Sequence, residues 1–213
     1  MPLTPHNTGL YVPAGKGRLY IAEWVGTTPP TYPGLVPTNF PTAAEILANP
    51  GDFEDVGNCP SLEVEPTTEK RPHYSSRAGM RTKDLNPTVG LEYAINFDLD
   101  EMAASNMKRF LLGTYNATTG IISGLDNANA EYAIIFVSDN PIGPNQIKYF
   151  RRVTLMPNGP LQLIGEEYLV MSFAGEGLSA VTQYPTSSYF DVKYVTTTTT
   201  STTTTTTTTT MTA

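Results

Sequence analysis

Between residues 61 and 97 the chain alternates apolar and polar side chains with a period of two on either side of a polar stretch. Leu62 and Val64 alternate with Glu63 and Glu65 before Pro66 interrupts the pattern, and Leu91, Tyr93, Ile95 and Phe97 alternate with Glu92, Ala94 and Asn96. A period of two places successive side chains on opposite faces of a strand, so each segment reads as a half-buried strand with an apolar face and a polar, largely acidic one. Apolar residues thin out over positions 72–88. This predicts a long hairpin whose tip reaches beyond the domain body.

The rest of the chain reads mostly as strands too. Residues 17–24 predict a first strand, with Leu19, Ile21 and Glu23 on one side and Arg18, Tyr20 and Ala22 on the other. Residues 25–52 carry Pro29, Pro30, Pro33, Pro37, Pro41 and Pro50, which deny donors to any ladder. They predict an irregular excursion with one turn of helix over 43–48, long enough to be weighed as an interaction loop. A single helix is expected after residue 97, capped by Asp98 or Asp100, favoured at its positive end by Asp100 and Glu101, and stopped by Gly113. Its stripe is Leu99, Met102, Ala103, Asn106, Met107, Phe110 and Leu111, with Lys108 and Arg109 towards the negative end. At ~1.5 Å per residue it would be about 20 Å long.

Strands are expected again at 132–138, 147–156, 161–164, 168–173 and 189–195, separated by turn chemistry at 139–144 and 157–160. The sum is a mainly β fold, an antiparallel sandwich or barrel with one flanking α-helix. Residues 1–195 are read as one β domain with long loops at 25–52 and 66–88. Residues 196–210 are threonine except Ser201; with residues 211–213 they form a low-complexity tail, read as disordered or as an extended strand captured by a sheet edge.

Groups able to carry out catalysis are scarce. His6 lies in a Pro-rich arm and His73 in a polar loop, with no second ligand at metal-binding spacing. Cys59, the one cysteine, precedes Pro60 with no neighbouring base and reads as a small buried apolar group. The adjacent pairs Glu54-Asp55 and Glu166-Glu167 read as solvated turns. Gly15-Lys16-Gly17 lacks the remaining glycine spacing and the hydroxyl of a phosphate loop. The expectation is a protein that is not an enzyme and takes no cofactor or metal.

Charge narrows the partners. Thirteen Lys and Arg stand against 20 Asp and Glu, a net charge of −7, opposite to the footprint of a tight nucleic-acid binder. One cysteine excludes an internal disulfide, and the first 30 residues lack the basic start and apolar run of a secretory signal. No run approaches the ~18 apolar residues of a membrane helix. Folding in a reducing cytosol is expected. Within this acidic chain, Lys70, Arg71, Arg77, Arg81 and Lys83 cluster at the expected hairpin tip. They read as a solvated loop or as a projection that docks on an acidic surface, which a second copy would provide.

At these residues the sequence resembles bacteriophage tail tube proteins. The resemblance rests on Tyr11-Val12-Pro13-Ala14-Gly15-Lys16-Gly17 leading into the first strand, Asp55-Val56-Gly57-Asn58-Cys59-Pro60 before the second, and EKRPHYSSRAGMRTKD over 69–84. Asp98-Leu99-Asp100-Glu101 entering the helix and Leu111-Leu112-Gly113 closing it complete the order. It spans roughly residues 9 to 195, and Tyr74-Ser75-Ser76-Arg77 is its most specific part. The poly-threonine tail departs from it.

The resemblance implies a small β-barrel or sandwich with a flanking helix. Six copies would close into a ring and rings would stack into a virion tail tube, assembled in the host cytoplasm, through which DNA passes without specific binding. The implied partners are further copies of the chain, a tape-measure protein, a terminator and tail-tip proteins. Tyr74, Ser75, Ser76, Arg77, Arg81, Lys83 and Asp84 are then expected to form an inter-subunit docking loop. Glu63, Glu65 and Glu92 are expected to line the lumen, if the acidic face turns inward; an outward face would make them ordinary solvated surface. Six times −7, or −42, would sit on each ring. Two other readings stand at this point: a monomeric adhesion or carbohydrate-binding sandwich on a Thr-rich stalk, and a ring-forming terminator or adaptor.

Overall fold

The computed structural model describes residues 17–31, 46, 48, 51–76, 79, 81–139, 145–164, 168–186 and 188–195. The strands are β1 (Gly17–Glu23), β2 (Glu54–Asp55), β3 (Ser61–Lys70), β4 (His73–Ser75), β5 (Thr82–Leu85), β6 (Thr88–Leu99), β7 (Thr114–Asn116), β8 (Ile121–Ser123), β9 (Glu131–Ser138), β10 (Asn145–Pro157), β11 (Met171–Gly177) and β12 (Phe190–Val195), and helix α1 is Ala104–Phe110. One antiparallel sheet runs β2-β1-β9-β10-β11-β6-β3, with β12 also paired to β10. β4-β5 and β7-β8 are separate two-stranded ribbons. The chain is thus mainly β and antiparallel, with one continuous helix among the described residues.

The expected hairpin is present. β3 pairs with β6 from Ser61↔Asp98 to Lys70↔Thr88, and β4-β5 continues the projection between them. β3 runs through Pro66 rather than ending there; it is an edge strand, where a missing donor can point away from the ladder. The register puts Leu62, Val64, Tyr93, Ile95 and Phe97 on one face, joined by Met171 and Phe173 of β11, Val153 and Leu155 of β10, Tyr132 and Ile134 of β9, and Leu19 and Ile21 of β1. Because one face of nearly every strand meets in this cluster, the sheet curls around it. Tyr93 of β6 reaches the Phe190 ring of β12, 5.5 Å between centroids.

The reverse face divides in two. On β1, β9 and the first half of β10 it carries Tyr20, Ala22, Ala133, Ile135, Val137, Ile147 and Tyr149, buried with Trp24, Ile46, Phe53, Ala180 and Tyr184 into a second core. β1 is therefore buried on both faces. Part of residues 25–52 supplies this cover; Ile46 and Ala48 are helical as expected, and the remainder of the 43–48 turn lies outside the described residues. A register shift in β10 between Phe150 and Val153, a β-bulge, ends the covered half. Phe150 and Val153 both face the first core. Between them Arg151 is buried against the Tyr184 ring and paired with Asp191, while Arg152 holds Glu131 with both Nε and Nη2 at 2.6 and 2.8 Å.

Several local expectations are corrected. The helix has 7 residues, not the span from 99 to 112, because β6 pairing continues through Asp98 and Leu99. Its N-cap is Ala103 with no side-chain cap bond, and no acid lies in its first turn. Met102 and Leu111 are exposed, while Arg109 is buried beside Asn106 and Phe110. Leu112, not Gly113, takes the left-handed turn at φ 49°. Gly113 is needed for another reason: a Cβ there would run into the Ser123 carbonyl. Residues 161–164 are irregular, the next strand is Met171–Gly177 rather than 168–173, and the expected loop after the helix holds the β7-β8 ribbon. The 196–213 tail lies outside the described residues.

Candidate interaction surfaces

The uncovered half of the reverse face belongs to β3, β6 and β11. Cross-strand pairs Glu63↔Asn96, Glu65↔Ala94, Thr67↔Glu92 and Glu176↔Ala94 put these side chains on one side. Up to the register shift after Glu69, the alternate positions of the three strands there hold Glu63, Glu65, Glu69, Glu92, Asp98 and Glu176 and no Lys or Arg; Lys70, paired with Thr88, lies beyond that shift at the hairpin end. Glu63, Glu65 and Glu92 are all exposed and share this face. The register brings them together by pairing alone, since antiparallel partners stand on the same side of the sheet. A surface of this kind repels phosphate and attracts cations.

The projection carries the opposite charge. Tyr74 and Ser75 lie in β4, Ser76 follows it, and Lys83 and Asp84 lie in β5 just after Arg81; Arg77 lies outside the described residues. Lys70, Arg71, Arg81 and Lys83 are exposed, and the Arg81 guanidinium sits 4.3 Å from the Tyr74 ring centroid. Such stacking holds the cation near the tip without neutralising it. His73 is in β4 rather than a loop, with Nδ1 2.7 Å from Asp84 Oδ1. That hydrogen bond holds the Asp84 carboxyl below its ordinary range.

Several other charged groups among the described residues hold the fold together. Glu54 and Asp55 form β2 rather than a solvated turn: Glu54 takes the buried Arg109, and Asp55 faces Arg18 at 3.7 Å. Asn106 is fully buried and donates to the Val56 carbonyl at 2.9 Å, tying the helix to the segment after β2. Lys108 reaches Glu23 at 2.6 Å. This use of polar helix residues as core ties is invisible to a reading by hydrophobic stripe, which places Arg109 only by its nearness to the negative end of the helix. Cys59 is partly buried, and burial, then the nearby Asp98, pushes its thiol up to about 11. His6 and Glu166-Glu167 lie outside the described residues, as do Gly15 and Lys16.

The family model "Protein of unknown function UCP028589" matches residues 42–123. This stretch takes in β2 through β8, hence the projecting hairpin, most of the acidic face and the helix. No curated protein matches the chain.

Proposed function

We propose that the chain is the structural subunit of a phage tail tube, forming hexameric rings that stack into a conduit for DNA. The observation that carries this reading is the bare acidic half of the sheet. A domain serving only itself gains by covering a sheet face, as this chain does on the other half; a wall that DNA must slide past needs anionic side chains and no fixed cation, because every phosphate neutralised would hold the strand by counterion release. The basic hairpin and the open β3 edge suit contacts between copies. Tape-measure, terminator and tail-tip proteins are the further partners of this role, and the virion tail its location. No residue is assigned catalysis, cofactor or metal binding.

Electron microscopy of the purified chain across protein and salt concentrations, with and without tail-initiating partners, tests this directly. Tubes with a central channel are expected. Single rings that never stack would point to a terminator or adaptor, and monomers under every condition would overturn self-assembly.

A further inference from the structure

The two ends of the curled sheet carry complementary chemistry. At one end β3 runs out at Lys70, β6 begins at Thr88, and the hairpin projects its exposed Lys70, Arg71, Arg81 and Lys83 around the half-exposed Tyr74. At the other end β6 leaves the sheet into Asp100, Glu101 and Met102, and β11 is entered through Tyr168 and Leu169. These five residues line a groove of about 500 Å³. Leu169 at its floor is partly buried against the first core, while the other apolar members are open to solvent: Tyr168 is 96% exposed and Met102 43%, and Ile164 in the same connection is 92% exposed.

We propose that the β4-β5 hairpin of one copy seats in the Asp100–Glu101–Met102–Tyr168–Leu169 groove of the next copy, with Arg81 and Lys83 facing the two carboxylates and the Tyr74 ring against Met102 and Tyr168. The proposal rests on the self-assembly reading and names its contact. Exposed apolar side chains rimmed by charge mark a surface meant to be covered. The rim here is anionic and so selects a cationic occupant, and the hairpin is an amphipathic cation of that kind. A chain cannot fill its own groove. The ten residues of β3 alone, at ~3.4 Å each, put roughly 30 Å between the hairpin base and the groove end of the sheet. The contact is therefore heterologous, joining opposite ends of successive copies, and propagates along a stack instead of closing a dimer.

A charge exchange tests it. The variants Arg81→Glu with Lys83→Glu, and Asp100→Lys with Glu101→Lys, are made separately, combined in one chain, and mixed. All four hairpin and groove positions are exposed or half-exposed; Asp100 also accepts a 2.6 Å hydrogen bond from the Asn58 side-chain amide, so Glu101→Lys alone is made beside the double groove variant to leave that bond in place, and circular dichroism and thermal melts check each fold. Sedimentation and electron microscopy should show each single-site variant needing at least about tenfold more protein than wild type to stack. The combined chain and the one-to-one mixture should both recover stacking. Neutral Arg81→Gln with Lys83→Gln gives an intermediate loss and guards against a folding defect in the reversed variant. Wild-type-like stacking by both single-site variants, or no recovery in either exchange, overturns this contact while leaving self-assembly standing. Wild type that never exceeds a monomer overturns both.

Discussion

On β1, β9 and the first half of β10, the reverse face of the sheet is a second core of Tyr20, Ala22, Ile135, Val137, Ile147 and Tyr149 beneath Trp24, Phe53 and Tyr184. On β3, β6 and β11 the same face holds Glu63, Glu65, Glu92 and Glu176 in the open. The ladder is continuous and antiparallel across both halves, so the backbone does not decide which half is covered. Side-chain choice at alternate positions does. The boundary lies at the β10 bulge, where Arg152 and Glu131 pair and Trp24 donates to the Arg151 carbonyl at 2.9 Å. One half is spent on stability; the other is kept for something outside the chain.

The largest way to break this contrast is to empty the covered half. Tyr149 is fully buried, edge-on to Phe53 and Tyr184. Tyr149→Ala should cost about 3–5 kcal/mol, the range for truncating a buried aromatic, while Glu65→Ala should fall within about 0.5 kcal/mol. Urea unfolding monitored by the single tryptophan, Trp24, reads both. Similar losses at the two sites would mean that the acidic face is packed in the folded chain.

A second test probes the core that both halves share. A Cβ at Gly175 would stand 2.8 Å from Ile95 and Val153 and 2.9 Å from Leu155, tighter than packed side chains allow. Gly175→Ala is expected to lose about 1–3 kcal/mol by overpacking, measured as a fall in denaturation midpoint at unchanged m-value. A neutral result would show that the sheet relaxes at β11.

Burial also sets a pH limit. Desolvation raises the phenol of Tyr149 under the covered half, and that of Tyr132 to about 12, with Glu23 adding to the latter. A group whose folded pKa lies above its unfolded value contributes stability that is present below the unfolded pKa, near 10, and lost as pH rises towards the folded one. Stability should hold below about pH 10, then fall by about 1 kcal/mol per buried tyrosine per pH unit. A spectrophotometric titration should find these phenols ionising only as the fold is lost. Their titration at pH 10 in a protein that keeps its native circular dichroism would contradict the burial. Cys59 follows the same rule from its ordinary 9.0 to about 11; a thiol reagent at pH 8 should meet about 100-fold less thiolate than in the unfolded chain.

How much of this is legible in the residues depends on whether the signal is local. Alternation at 61–65 and 91–97 specifies half-buried strands and puts Glu63, Glu65 and Glu92 on one face, because their positions relative to the apolar set are properties of each strand alone. The basic tip is local in the same way. The helix start is not: Asp98 and Asp100 are both favoured N-cap residues, yet cross-strand pairing with Ser61 and Met171 keeps residues 98 and 99 extended, and the cap preference does not outweigh two ladders. The double burial of β1 was likewise hidden, since Tyr20 and Ala22 only become core when Trp24, Ile46, Phe53 and Tyr184 pack with them. Arg109 as a core tie needs Glu54, 55 positions away. The groove at Asp100 and Tyr168 joins two connections that no motif links.

The smallest effect on the fold, and the sharpest test of the bare half, is replacement of Glu63, Glu65 and Glu92 together by lysine. None is buried, and Glu69 and Glu176 remain on the same face to attract the new cations, so folding stability should change by less than about 1 kcal/mol. Three lysines at the matching positions of the covered half would abolish folding. If the acidic face lines a channel, rings and tubes should still form, but the new cations would hold passing phosphates and release counterions. Genome ejection from virions carrying the variant should slow at low salt and recover as rising ionic strength screens the contact. Ejection that matches wild type at low salt, in virions shown to contain the variant, would take these three glutamates out of the lumen and leave the bare face as an exterior surface of whatever the chain assembles into.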